Sequence, residues 1–470
     1  MCNRSCTVSI HILNDDSILH VFYLYRPLFR DQDGIADWKY NGRWWYALVH
    51  VCQRWRNIIF GSATYLGLSL HCTFGTPVSD MLAHSPPLPL VVGYFRDSFE
   101  LTTADEEGVV LALKQYDRVC RVRLHNAGTI IQKLIKAMDE EYPVLEFLDI
   151  MHPKMDNSTI LRFPETLQAP RLRSLALRGF ALPIGSRLLT TAVGLVTLHL
   201  DIPHPFTYFH PNTLIRWISF MPQLETLAIF FNFSIPNRDV ERQLTHTPII
   251  APITLPNLHH LQFRGVSTYL EALVQWIITP RLKELYIGFS NQLTFSFSRL
   301  LQFIIAAENL RLGNAVLTFS DKLVNAGVYR YGETNGYAFG IVVKCYHLDW
   351  QASSMAQIFS SLSQIFSAVE CLTLQHDEHS ESAEVHNDVD RTEWRKLLRP
   401  FRNLKTLEIE EGLVKDLSRC LELEDGESGL ELLPELQELE YFGNGDARDA
   451  FASFVDARQN AGRPVNLVRW

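Results

Sequence analysis

The sequence predicts a mixed α/β chain: a short helical module at the amino terminus, followed by a long, irregular array of strand–turn–helix units. Three observations carry this. Apolar residues recur at helical spacing before about residue 60. From residue 119 onward a leucine pattern recurs many times, mostly at steps of 23–35 residues. Helical stripes lie between its successive copies.

Composition agrees with a packed chain. Of 470 residues, 47% are apolar and 20% charged, too apolar for a disordered polypeptide. With 43 basic against 52 acidic residues the formal charge is −9, which weighs against a nucleic-acid binder. The charge is unevenly placed. Residues 370–450 hold 22 acidic and 9 basic side chains, a net of −13, so the rest sums to +4. No apolar run reaches the roughly 18 residues of a membrane span. The opening residues carry no apolar run of signal-peptide length, so secretion is not expected. The eight cysteines, at 2, 6, 52, 72, 120, 345, 371 and 420, form no CxxC pair. Free thiols in a reducing compartment, cytoplasmic or nuclear, are the simplest reading, with no metal and no cofactor.

The first element is a helix opening at Asn14-Asp15-Asp16-Ser17, where Asn14 can cap free N–H groups and two carboxylates suit the helix dipole. Ile18, Leu19, Val21 and Phe22 follow, and Pro27 discourages continuation. A polar loop runs from about 30 to 42. A second helix is read from Trp45, Leu48, Val49, Cys52, Trp55 and Ile59, one apolar stripe with Gly61 as its stop. Some 50 residues of short helix cannot bury a large core alone and often lean on a partner.

These residues carry a resemblance. Leu13-Asn14-Asp15-Asp16-Ser17-Ile18-Leu19-His20-Val21-Phe22, followed by Leu48-Val49-His50-Val51-Cys52-Gln53-Arg54-Trp55-Arg56-Asn57-Ile58-Ile59, resembles an F-box. That family has an acidic opening, an aliphatic helix and a V-C-x-x-W-x-x-[LI] helix. Asn14 stands where its proline usually does, Ser17 at a usually aliphatic position, and the insert between the halves is longer. With Trp44-Trp45 ahead of the second half, the segment is similar to F-box-like proteins of mushroom-forming fungi. The resemblance implies a module at residues 8–62 that docks a Skp-type adaptor and, through it, a cullin. Leu13, Ile18, Leu19, Val21, Phe22, Val49, Cys52, Trp55 and Ile59 are its candidates for docking or for holding the helices together.

Residues 63–115 read as a linker or as degenerate first repeats, with Leu66-Leu68-Leu70 alternating as a strand would and a second strand near Leu88–Val92. From 116 to 470 the pattern L-x-x-L-x-[L/I/F] dominates. It begins with Val119-Val122-Leu124 and Leu145-Leu148-Ile150, and continues through Leu172, Leu195, Leu224, Leu258, Leu282, Val369 and Leu404 to Leu436-Leu439-Tyr441. One step is 87 residues, close to three of 29, and Leu317-Phe319 and Cys345-Leu348-Trp350 are candidates to fill it. Stripes such as Leu214-Ile215-Ile218 and Met355-Ile358-Phe359-Leu362 supply the helices. Strand, turn and helix at this period are the leucine-rich-repeat signature, so ten to twelve irregular units of a ribonuclease-inhibitor-like solenoid are expected. The turn asparagine of that family occurs only at Asn232 and Asn444. Elsewhere the turns must satisfy their backbone groups by other means.

Strand phase then nominates a binding face. If the motif leucines point inward, the residues between them point outward. Arg121, Arg123, Arg178, His199, Asp201, Phe230, Arg264, Tyr286, Glu408 and Glu410 become target-binding candidates, with His125, Asp149 and Glu440 beside them. The face grades from basic to acidic along the chain. No G-x-S-x-G, P-loop, H-E-x-x-H or G-x-G-x-x-G occurs, and an enzyme is not expected. The histidine-rich stretch from His376 to His386 is read as an exposed acidic loop. The expected function is a substrate-recruiting adaptor of a Skp–cullin–F-box ubiquitin ligase, its repeats holding an unknown target protein. The alternative is a leucine-rich-repeat binding scaffold outside that pathway.

Overall fold

The computed structural model describes residues 12–27, 43–95, 102–125, 130–152, 161–183, 185–202, 204, 207–231, 251–290, 292, 294–307, 310, 313–329, 337–376, 390–422, 430–442 and 450–469. Asn232, Asn444 and residues 377–386 of the histidine-rich stretch lie outside them. The chain divides into two compact units, Met1–Gly194 and Leu195–Trp470.

The first unit opens with helix α1, Asp15–Tyr25, whose start follows from its sequence. Asn14 Oδ1 accepts the Ser17 N–H at 2.8 Å, and Asp15 and Asp16 occupy the first turn. Ile18 and Phe22 turn inward. The stripe read as one helix from Trp45 to Ile59 is two: α2, Trp44–Val49, and α3, Gln53–Gly61. The N–H groups of His50 and Val51 bond back only three residues, to Ala47 and Leu48, which closes α2. Cys52 is extended between the helices. Two segments packed on one side share the stripe of a single helix, so spacing alone could not separate them. A one-turn helix α4, Ala63–Leu66, ends at Gly67 with φ of 63°, a left-handed cap that favours glycine.

Five strands come next: β1 Leu70–Thr73, β2 Leu90–Phe95, β3 Val119–His125, β4 Phe147–Met151 and β5 Ser174–Arg178. Each pairs with the next in parallel. Helices Val78–His84, Thr103–Leu113 and Ile131–Lys136 lie between them in sequence. Residues 63–115 thus contain β1, β2 and two of these helices. The alternation Leu66-Leu68-Leu70 is not a strand. Leu66 closes α4 and Leu70 opens β1, and the turn at Gly67 lies between.

The second unit contains β6 Thr197–Ile202, β7 Thr226–Phe231, β8 Ile253–Thr254, β9 His260–Gly265, β10 Ile277–Ile278 and β11 Glu284–Ser290. It continues with β12 Asn314–Phe319, β13 Leu323–Tyr329, β14 Phe339–Lys344, β15 Cys371–His376, β16 Thr406–Ile409, β17 Glu438–Tyr441 and β18 Asn466–Arg469. Their spatial order is β6-β7-β9-β11-β14-β13-β12-β15-β16-β17-β18. Strands β8 and β10 form a separate parallel pair. The motif residues of both units are buried, and Leu198, Leu227, Leu261 and Leu285 are successive register partners in one ladder. Truncating one to alanine would cost about 2–5 kcal/mol.

The 87-residue step is not three repeats. Strands β12, β13 and β14 form an antiparallel meander that enters the sheet in reverse order. Strand β14 pairs with β11 and β12 with β15, both in parallel. Leu317 and Phe319 do point inward, but Cys345-Leu348-Trp350 runs into the helix Leu348–Ser361 and leaves Trp350 exposed. Gln351 on that helix is buried and donates from Nε2 to Ser320 O and Cys345 O, at 2.6 and 2.9 Å. Those bonds satisfy carbonyls of the β12–β13 turn and of the residue after β14, on the same edge of the meander.

Backbone groups that an asparagine ladder would serve find other partners. The Glu410 carboxylate accepts the His376 N–H at 2.9 Å, and Gln292 Oε1 accepts the Ser267 N–H at 3.0 Å. Glu271 reaches the start of the next helix, accepting the N–H groups of Arg299 and Leu300 at 2.8 Å each. A carboxylate at a helix N-terminus is also favoured by the dipole.

Candidate functional site

Three surfaces collect the residues singled out by sequence. On the helical module, Ile18, Phe22, Val49 and Ile59 are core, not surface. Phe22 meets Trp55 edge to face at 4.9 Å, and Leu19, Cys52 and Trp55 are half-buried. Arg54 ties the module together, donating to Asp15 Oδ1 at 2.9 Å and to Leu13 O at 2.6 Å. The opposite side of α1 is exposed: Val21 is 49%, Leu24 70% and Tyr25 65% accessible, with Leu13 at its mouth. Leu24 and Tyr25 escaped the sequence reading because their side of the helix gave no core to pack. Their i, i+3, i+4 spacing to Val21 was the available signal.

On β3–β5 of the first unit the expected row of outward side chains is present, with one correction. Asp149 is only 6% exposed. It is covered by the basic side chains around it: His125 Nε2 lies 2.9 Å from Oδ2, Arg123 Nε 3.4 Å from Oδ2, and Arg178 Nη1 3.5 Å from Oδ1. Burial alone would raise the Asp149 carboxyl; the His125 hydrogen bond and the charges of His125, Arg178 and Arg123 outweigh it and hold it below its ordinary range. The guanidinium groups of Arg121 and Arg123 sit 5.1 and 5.0 Å from the Phe147 ring, a cation–π arrangement. Arg121 also lines a pocket of about 480 Å³ with His71, Val91, Cys120 and Glu146.

The second unit carries the remaining candidates. His199 packs edge-on against Phe230 at 5.0 Å, and Arg264 lies over the same ring at 5.1 Å. Asp201, Phe230 and Arg264 are register partners across β6, β7 and β9. Tyr286, on β11, is half-buried; burial raises its hydroxyl pKa, against the lowering effect of the Arg264 charge. Glu408 on β16 accepts from Thr373 Oγ1 at 2.8 Å. Glu410 lies just past β16, with its carboxylate on the His376 N–H, so part of its hydrogen-bonding capacity serves the fold. The structure brings Phe230, Arg264 and Tyr286 together, and Glu408 with Glu440. Tyr337, beside Tyr329 at 4.6 Å, was missed because it belongs to no leucine motif.

Among the described residues no group of three His, Cys, Asp or Glu side chains could hold a metal ion. No described helix is long and apolar enough to cross a membrane. The described fold is mixed α/β with extended runs of parallel strands. No family model matches the chain, and no curated protein matches it. Among solved structures it is similar to the leucine-rich repeat-containing protein LegL7 from Legionella pneumophila, at 12% identity over 84% of this chain and 98% of that one, with a TM-score of 0.29.

Proposed function

We propose that the chain is a substrate-recruiting adaptor of a Skp–cullin–F-box type ubiquitin ligase. In this reading the helical module of residues 8–62 docks a Skp-type adaptor, and the leucine-rich strand array holds a target protein. The observation that carries it is the exposed apolar side of α1. Val21, Leu24 and Tyr25 face outward while Ile18 and Phe22 fill the module's interior, so the helix is apolar on two sides. A surface helix needs only one such side for its own core. The chain performs no chemistry itself; it raises the local concentration of the target near catalytic subunits.

A second reading is a repeat scaffold unconnected with ubiquitin ligases, the helices serving as an end cap. It is favoured by a contact from the module to the first strand of the array: Arg43 Nη2 donates to Thr73 Oγ1 on β1 at 3.3 Å. Mixing the full chain with a purified Skp-type adaptor separates the two. The ligase reading expects a complex that Val21→Asp with Leu24→Asp abolishes. Absence of a complex, where a known F-box protein forms one, leaves the scaffold.

A further inference from the structure

The pocket at the start of the array, about 480 Å³ in volume, is in the size range of small-molecule sites. Register places His71, Val91, Arg121 and Phe147 in one row across β1–β4. Strand β3 is bulged there: Leu90 pairs with Val119 and Val91 with Arg121, so Cys120 is the extra residue. Strict alternation would place neighbours on opposite faces. Instead Val119 and Val122 are both buried, and Cys120 and Arg121 both line the pocket. A bulge re-aims side chains in this way, and here it sets a guanidinium beside apolar surface. Val91, Leu68, Leu88 and Pro87 form the apolar lining. Ser69, His71 and Glu146 add polar groups, with Ser69 Oγ 3.1 Å from His71 Nε2.

Charge at the pocket is uneven. Arg118 donates from Nε and Nη2 to Leu88 O at 3.1 and 3.0 Å, which brings a second guanidinium to that wall. Burial pushes the Cys120 thiol up to about 11, and Arg121 opposes the rise more strongly than Glu146 adds to it. At Cys120, then, the guanidinium outweighs the carboxylate. Arg121 also lies 5.1 Å from the Phe147 ring. A guanidinium carries five N–H donors, so it serves partners in the fold and a ligand carboxylate together. We propose that the pocket binds a small organic acid, its apolar body against Leu68, Leu88 and Val91 and its carboxylate on Arg121. Glu146 opposes the anion, and removing its charge strengthens binding. The pocket shares no residue with the exposed side of α1, so the proposal stands apart from adaptor docking.

The test is isothermal titration of the full-length chain with octanoate and with hydrocinnamate, each beside the amine and the alcohol of the same body. At least one acid should bind saturably, about tenfold more tightly than its amine or alcohol counterpart. Arg121→Gln should weaken that acid about tenfold, and Glu146→Gln should strengthen it. Ala63→Trp, which fills the pocket from α4, should abolish binding. Circular dichroism checks that each variant is folded. Saturable binding of neither acid, equal binding of acid and alcohol, or preference for the amine would overturn the proposal. So would binding that survives Ala63→Trp, or affinity unchanged in the two charge variants. Docking of the Skp-type adaptor is read separately, so a chain that binds the adaptor but no acid keeps the proposed function and loses only this site.

Discussion

Strands β3–β5 and strands β15–β17 solve the same problem in opposite ways. Both carry charged residues at outward positions between buried leucines. On β3–β5 one carboxylate, Asp149, serves three basic side chains, two arginines and a histidine, and is nearly lost from solvent. On β15–β17 carboxylates dominate, and neutral donors hold them: Thr373 Oγ1 and the Cys371 thiol on Glu408, the His376 N–H on Glu410. An ion cluster around one buried acid depends on that acid. A surface of carboxylates held by neutral groups has no such single point of failure.

The largest expected effect comes from breaking the first arrangement. Asp149→Ala removes the buried carboxylate that Arg123, His125 and Arg178 share and should cost about 3–5 kcal/mol of stability, read by denaturant unfolding. The equivalent change on the acidic side, Glu410→Ala, removes one hydrogen bond to a backbone N–H and should cost about 1–2 kcal/mol. Glu408→Gln should cost less, because its amide oxygen can still accept the bond from Thr373 Oγ1.

Acid sharpens the same contrast. The folded carboxyl of Asp149 is held below its ordinary range, so its contribution is complete above the unfolded value near about 3.9. It is lost as pH falls through the lower folded value. The stability difference between wild type and Asp149→Asn should therefore shrink as the pH falls below about 4. The smallest effect concerns Cys371. Burial pushes its thiol up to about 12, and the Glu408 charge and hydrogen bond add to it. Maleimide labelling at pH 7 should leave Cys371 slow in the wild type and faster in Glu408→Gln.

How far the sequence could be read depended on the kind of pattern. The phase of β3, β5, β6, β9, β16 and β17 was legible because one face of each strand is buried, and a slip of one residue would have exposed every leucine. The start of α1 was legible because capping is local to Asn14–Ser17. The break at Cys52 was not, since both short helices pack the same side. Nor was the meander of β12–β14, whose pairing is decided by strands far apart in sequence. Among the binding candidates, Arg264 and Tyr286 were named from alternation alone, but Gly288 and Gly340, which they lie across, sit on other strands.

The sequence by itself determined the class of the protein: mixed α/β, leucine-patterned strands at a recurring period, and short amphipathic helices ahead of them. Periodicity and burial are tied by the geometry of strand and helix, so these features survive without knowledge of neighbours. Only the tertiary structure decided that Asp149 is buried, that the long step is a reversed meander, and that Glu408 faces Glu440. Those depend on which strands become adjacent, and adjacency is a property of the folded sheet, with hydrogen-bonded partners up to tens of residues apart in the chain.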